Sequence, residues 1–367
     1  MAVRRVGLVV HKGRPEAVAA SGLVRAWCAE HGVPCTEIDV WTAGVQRRGS
    51  GEEMAAAGDP DLIVALGGDG TFLRGARLAG HSGSLLLGID FGHLGFLTEV
   101  PAQDVLQALD AVQESRTTVE ERMLLTMRAS RPLSPTEEVD PQHRYGRRPT
   151  LPPPPVRPGC EAGGGWGVAL DVLALNDVVV EKFARDGRVA AAVYFAGRLL
   201  AGYAGDALLV ATPTGSTAYS FAAGGPVVSP RAEALVFTPV AAHMVFGRSV
   251  LAAPDEPIAL RLLPTSGNAA VSVDGQLRGV LEPGDWIGVY AAPTRLRVVR
   301  LGPTDFYGRL RRRMRLTDAP ATASDGEVPP TWPLTAPPPH DLEHLNLPAL
   351  RPGRHLPTTA QPSDEAS

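Results

Sequence analysis

Leu62-Ile63-Val64-Ala65-Leu66-Gly67-Gly68-Asp69-Gly70-Thr71-Phe72-Leu73 is an apolar strand that empties into glycines and then starts a helix. In an open α/β sheet that junction is the carboxyl edge of a strand, where ligands bind. Glycines there permit positive φ and let backbone amides approach phosphate oxygens with no side chain in the way. Asp69 sits in the middle of this anion-friendly loop and would repel a phosphate unless it serves a metal ion or accepts a proton from a nearby hydroxyl. The placement therefore points to phosphoryl transfer. The plain alternative is an ordinary turn in which Asp69 caps the helix that follows.

Outward from this segment, the first hundred residues alternate between strand and helix patterns. Arg4–Val10, Pro34–Val40, Asp61–Leu66 and Ser84–Asp90 read as strands and Pro15–His31 as a helix. Such alternation implies right-handed crossovers and a parallel sheet covered by helices. After Val119 the texture changes to short β-rich runs: Met123–Ala129, Leu173–Glu181, Val189–Phe195, Ala207–Thr212, Ile258–Leu263, Ala269–Val273 and Trp286–Tyr290. Turn signals such as Ala196-Gly197 and Asp274-Gly275 separate them. The expected architecture is a doubly wound α/β parallel-sheet domain over residues 1–118 followed by an all-β, sandwich-like domain over 119–295. The chain is expected to return to the first domain at about 296–316. Nine of the 34 prolines fall between Pro132 and Pro158 and eleven between Pro320 and Pro362. Proline at that density blocks helices and central strands, so 131–165 reads as a surface insertion and 317–367 as a disordered tail.

With 367 residues, 44% hydrophobic and 20% charged, the chain can bury a core of two domains. A net charge of −4 gives no general pull toward nucleic acid or an anionic membrane. Cys28, Cys35 and Cys160 form no C-x-x-C pair, which fits a reducing compartment. The apolar run of Met1–Val10 is too short for a signal peptide, and no run approaches the roughly 20 residues of a membrane span. A cytoplasmic protein is expected. His340 and His344 have helical spacing for a metal, but their glutamate is misplaced for H-E-x-x-H and prolines surround them.

Thr212-Pro213-Thr214-Gly215-Ser216-Thr217-Ala218-Tyr219-Ser220-Phe221-Ala222-Ala223-Gly224-Gly225-Pro226 follows an apolar run and gathers hydroxyls, small residues and one tyrosine. Such a loop suits ribose and phosphate hydroxyls, with Tyr219 available to stack or hydrogen-bond; a polar surface loop running into a helix is the other reading. A Walker loop, the protein-kinase motif set and G-x-S-x-G are absent, and Leu73 occupies the place of the third glycine of a dinucleotide fingerprint.

Together these two segments resemble the NAD kinase family. The similarity extends through Gly92-His93-Leu94-Gly95-Phe96-Leu97-Thr98-Glu99, Glu121-Arg122-Met123-Leu124-Leu125, Ala174-Leu175-Asn176-Asp177-Val178, His243 with Phe246-Gly247-Arg248, and Asp274-Gly275-Gln276. Gly-Gly-Asp-Gly alone is a superfamily marker shared with sugar and lipid kinases; Thr-Pro-Thr-Gly-Ser-Thr-Ala-Tyr is much narrower. The resemblance implies transfer of a phosphoryl group from ATP, another nucleoside triphosphate or polyphosphate to the adenosine 2'-hydroxyl of NAD. It implies Mg²⁺ or another divalent ion, and a homo-oligomer. Asp69 matches the catalytic proton acceptor, with Gly70 and Arg74 beside the substrate. Asn176 and Asp177 match an Asn-Glu pair holding NAD, and Asp206, Thr217, Ala218, Tyr219, Ser220, Ala222 and Gln276 match further NAD-contacting positions. Arg188 stands next to one more expected contact. Asp177 for glutamate shortens the reach by one methylene, and Asp90 stands where asparagine is common. A lipid or sugar kinase of the same superfamily, and a nucleotide-sensing module without turnover, are the alternative functions.

Overall fold

The computed structural model describes residues 3–41, 49–92, 95–133, 167–185, 187–244, 246–302 and 304–316. The 317–367 tail, Cys160, His340, His344 and nearly all of the 131–165 insertion lie outside the described residues.

In chain order the N-terminal half contains β1 (Val6–Val10), α1 (Pro15–Glu30), β2 (Cys35–Glu37), α2 (Ser50–Ala56), β3 (Leu62–Gly67), α3 (Asp69–Ser82), β4 (Leu85–Asp90), β5 (Val100–Pro101) and α4 (Val105–Gln113). β6 (Thr118–Ala129), β7 (Val168–Ala169), β8 (Asp177–Lys182), β9 (Val189–Phe195), β10 (Arg198–Gly205) and β11 (Ala207–Ala211) follow. After the short helix α5 (Tyr219–Ala222) come β12 (Leu235–Val240), β13 (Val250–Ala252), β14 (Ile258–Leu262), β15 (Ala269–Val273), β16 (Gln276–Leu281), β17 (Trp286–Arg300) and α6 (Phe306–Met314).

β1 to β4 are parallel, in the order β2-β1-β3-β4. Alternate residues of β3 enter different cores. Leu62, Val64 and Leu66 pack with Val24 and Trp27 of α1 and Leu109 of α4, whereas Ile63 and Ala65 pack with Met54 of α2 and Phe72 and Ala76 of α3. Helices on both faces explain why the strand is an unbroken apolar run, and complete burial of a Leu or Ile side chain contributes about 1.5–3 kcal/mol.

β17 extends this sheet into the C-terminal half. It pairs in parallel with β4 through Arg297 and Val298 and antiparallel with β14 and β6, so the first sheet reads β10-β9-β14-β17-β4-β3-β1-β2. A second sheet, β13-β12-β11-β8-β15-β16, lies against its antiparallel part. Val178, Val180, Leu208, Val210 and Phe237 of one sheet share a core with Val189, Val193, Ile258, Leu260, Ile287 and Val289 of the other. That shared core makes the sandwich.

Some strands differ in extent from their sequence reading. β17 runs on to Arg300, past Pro293, because the register against β6 shifts between Ala291 and Arg295 and the missing proline amide falls where no ladder bond is needed. β8 begins at Asp177, since Leu175, Asn176 and Asp177 all turn their amides to a side chain. Both expected hairpin turns form, with positive φ at Ala196-Gly197 and Asp274-Gly275.

Candidate functional site

Asp69 is the first residue of α3, directly beyond the carboxyl end of β3. No side chain caps that helix, which removes the reading of Asp69 as an ordinary cap. Its carboxylate instead turns outward to a neighbouring loop: Oδ2 accepts the Phe96 amide at 3.0 Å, and Oδ1 accepts those of Leu97 at 3.2 Å and Thr98 at 3.4 Å. Hydrogen bonds to an ionised acceptor contribute about 1.5–3 kcal/mol each, so this contact sets the carboxylate's orientation. Asp90, at the end of β4, holds the same loop by accepting from the amides of Gly92 at 2.9 Å and Gly95 at 3.1 Å and from the Thr98 hydroxyl at 3.0 Å. Gly95 has to be glycine, because a Cβ there would stand 2.0 Å from Asp69 Oδ1. Gly68 and Gly70 face open space, with no atom within 4 Å of a Cβ at either. Arg74 points back from α3, stacked 4.2 Å over Trp41 and donating to the Val40 carbonyl at 3.0 Å.

A second group of residues is organised by Asp274. Its carboxylate, in the β15–β16 turn, accepts the amides of Asn176 at 2.7 Å, Leu175 at 2.9 Å and Asp177 at 3.2 Å. Asn176 in turn supports the hydroxyl-rich loop: its carbonyl accepts the Thr212 amide at 2.8 Å, and the Thr212 hydroxyl accepts the Gly215 amide at 3.0 Å. Thr217 and Ala218 are half-buried, Tyr219 and Ala222 exposed. Ser220 is fully buried and its hydroxyl pairs with that of Thr238 at 2.9 Å, so its side chain faces β12. Asp206 pairs with Lys182 at 2.7 Å, and Asp206, Glu181 and Asp177, after partial burial, raise the Tyr219 phenol above its ordinary value. Gln276 opens β16 next to the Asp274 turn. Arg188 is exposed just ahead of β9, and its carbonyl anchors the Gly267 amide.

Two features bring these groups together. Leu175 shares a core with Phe72 of α3 and with Leu97, and Arg122 donates to the Thr214 hydroxyl at 3.3 Å. The carboxyl edge of β3 and the start of β8 are thereby fastened to one frame. In the sequence Asp274 was legible as a turn residue and as part of the Asp274-Gly275-Gln276 motif, but its role in ordering the site was not, because its three amide partners lie about a hundred positions away.

Burial, and then the nearby Asp274 carboxylate, push Asp177 up to about 7. Asp274 is itself lifted to about 6 by burial, against the opposing pull of its three amides. A carboxyl raised in the folded state from an ordinary 3.8 contributes stability that is full below 3.8 and is lost as pH rises through 6 to 7. Wild-type protein should therefore lose more melting temperature between pH 5 and pH 8 than Asp177→Asn, which cannot ionise. Equal losses by differential scanning fluorimetry would show that the pair does not strain the folded state.

Family profiles match in the same two regions, the ATP-NAD kinase N-terminal domain over residues 27–117 and the ATP-NAD kinase C-terminal domain over residues 175–301. NAD kinase 1 of Streptomyces avermitilis is 68% identical over 95% of this chain and 97% of its own length. Among solved structures, yeast NADH kinase complexed with NADH superposes with a TM-score of 0.65 at 20% identity, over 86% of this chain and 88% of that one. An NAD kinase from Archaeoglobus fulgidus in complex with ATP gives 0.58 at 20% identity, over 85% and 98%. The two profiles, the long and close match to the Streptomyces enzyme and the shared fold together establish that this chain belongs to the ATP-NAD kinase family.

Proposed function

We propose that this NAD kinase transfers the γ-phosphoryl group of ATP to the 2'-hydroxyl of the adenosine ribose of NAD, with Asp69 accepting the hydroxyl proton. The orientation of the Asp69 carboxylate carries the reading. Oδ1 takes two backbone amides and Oδ2 one, and a carboxylate has about four acceptor positions. Capacity remains on Oδ2 for a hydroxyl. As the 2'-oxygen bonds to the γ-phosphorus, the bond to the ADP oxygen breaks, the proton passes to Asp69, and ADP leaves. The transition state is loose, so aligning the hydroxyl contributes as much as removing its proton.

Asn176, Asp177 and the Thr217–Ala222 segment are assigned to NAD, with Asp177 accepting from ribose hydroxyls when ionised. The open face of Gly68 and Gly70 at the start of α3 suits the donor phosphates, which a helix N-terminus favours. Among the described residues no group of three histidine, cysteine or acidic side chains gathers as a metal site; a divalent ion would be carried with the donor phosphates, and Asp69, at the start of α3, is the side chain assigned to hold it. That pattern fits Mg²⁺, which usually keeps its waters and takes one or two protein carboxylates. When bound, the ion supplies charge neutralisation of the donor phosphates. A homo-oligomer completes the proposal, on the family resemblance.

Purified protein with ATP and Mg²⁺ should convert NAD to a product that an NADP-specific dehydrogenase reduces, while diacylglycerol and a sugar phosphate remain unphosphorylated. A product phosphorylated at the 3'-hydroxyl, which that dehydrogenase would reject, would overturn the assigned acceptor. Replacing ATP by polyphosphate in the same assay identifies the donor range.

A further inference from the structure

We propose that Arg300 and Arg309 are positioning residues for the Asp69 carboxylate, acting through the two peptide groups that lie between them and it. Both arginines come from the far end of the chain, Arg300 closing β17 and Arg309 in α6. Arg309 Nη1 donates to the Phe96 carbonyl at 3.0 Å, and the amide of that same peptide unit, Leu97 N, donates to Asp69 Oδ1 at 3.2 Å. Arg300 Nη1 donates to the Leu97 carbonyl at 3.2 Å, and the amide of that unit, Thr98 N, reaches Asp69 Oδ1 at 3.4 Å. Two consecutive peptides are thus held with a guanidinium on the oxygen and the carboxylate on the nitrogen. A cation at the carbonyl polarises the peptide and strengthens the hydrogen bond donated from its other side.

Glu99 locks the two arginines to each other: it pairs with Arg309 and, at 3.2 Å, with Arg300. Arg300 continues to Glu120 at 2.7 Å and Glu120 to Arg122 at 2.8 Å. All three arginines are buried, with relative exposures of 3%, 5% and 7% for Arg300, Arg122 and Arg309. Burying so many charges is weak support for stability, since apolar residues of similar volume commonly do as well. Their arrangement matters here because it fixes geometry: the Phe96–Thr98 segment has no regular structure of its own, and while Asp90 holds it through Gly92, Gly95 and the Thr98 hydroxyl, the two arginines hold the carbonyls of Phe96 and Leu97.

This inference rests on Asp69 being the proton acceptor, so the test measures that separately. Arg309→Met, Asp69→Asn and the double variant are compared with wild type for kcat and for the KM of NAD, with folding checked by melting temperature. Arg309→Met should lower kcat roughly 10- to 100-fold with KM within about threefold, the size of effect expected from displacing a catalytic group by about an ångström. In the Asp69→Asn background the same change should cost little further, because positioning has nothing left to position. Arg309→Lys, which retains a charge and one bond, should recover part of kcat, and it serves in the same cycle if the methionine variant does not fold. Unchanged kcat in Arg309→Met, or an equal loss in both backgrounds, would overturn the proposal while leaving the role of Asp69 intact. Near wild-type turnover of Asp69→Asn alone would overturn the role of Asp69, and this inference with it.

Discussion

Asp69→Asn is expected to bind NAD within a few fold of wild type and to turn over roughly 100-fold or more slowly, the range for a lost general base. Asparagine keeps the size of the side chain but can take neither the 2'-hydroxyl proton nor a full charge. The surroundings add a second loss. Aspartate offers acceptors to three amides, from Phe96, Leu97 and Thr98, whereas asparagine must turn its own NH₂ toward at least one of them. A donor facing a donor leaves a polar group unpaired, at a cost of about 1–3 kcal/mol, so the loop should loosen as well. NAD binding should survive because the assigned contacts come from the Asn176–Asp177 turn and the Thr217–Ala222 segment, which Asp274 and Thr212 hold independently. Steady-state kinetics with calorimetric NAD binding separates the two effects. Turnover near the wild-type rate would pass the catalytic role to another carboxylate, Asp206 first.

Gly215→Ala should act instead on NAD binding. A Cβ at Gly215 would stand 2.0 Å from the Asn176 carbonyl oxygen, 2.5 Å from its carbon and 2.6 Å from its Cα. All three are backbone atoms, so no flexible side chain can move aside. Overpacking a tight site costs about 1–3 kcal/mol in stability. The strain falls on the residue whose carbonyl holds Thr212 and whose amide sits on Asp274. The KM for NAD should rise roughly tenfold or more, as when binding common to ground and transition states is removed, with kcat less affected than in Asp69→Asn. Gly22→Ala, on the exposed side of α1, is the matched comparison for added bulk, since a Cβ there meets nothing within 4 Å. An unchanged KM in Gly215→Ala would mean that the turn moves freely and does not order the NAD contacts.

Much of the architecture was legible from local pattern. The run Leu62–Leu66 followed by glycine announces a buried strand ending at a ligand-binding edge, because an unbroken apolar stretch needs helices on both faces and glycine admits a close backbone. The Ala196-Gly197 and Asp274-Gly275 turns were readable for a similarly local reason: two successive positive-φ residues suit few side chains. The order of the motifs along the chain is enough to suggest the family.

What local pattern could not supply was every contact across long separations. Nothing near Asp69 in the chain states that its carboxylate faces Phe96–Thr98 and not its own helix, and nothing near Ser220 states that its hydroxyl faces Thr238. Nothing near Arg74 in the chain states that its guanidinium stacks over Trp41 and donates to the Val40 carbonyl. Which residue types could perform phosphoryl transfer, and on which strand ends they stand, follows from local sequence, because strand, turn and glycine conformations are set by near neighbours. Where each polar group points depends on the folded chain as a whole. A carboxylate or guanidinium shielded from water orients toward whichever partners satisfy it, and for the half-buried Asp69 and Asp274 and the buried Arg300 and Arg309 those partners arrive from distant parts of the chain.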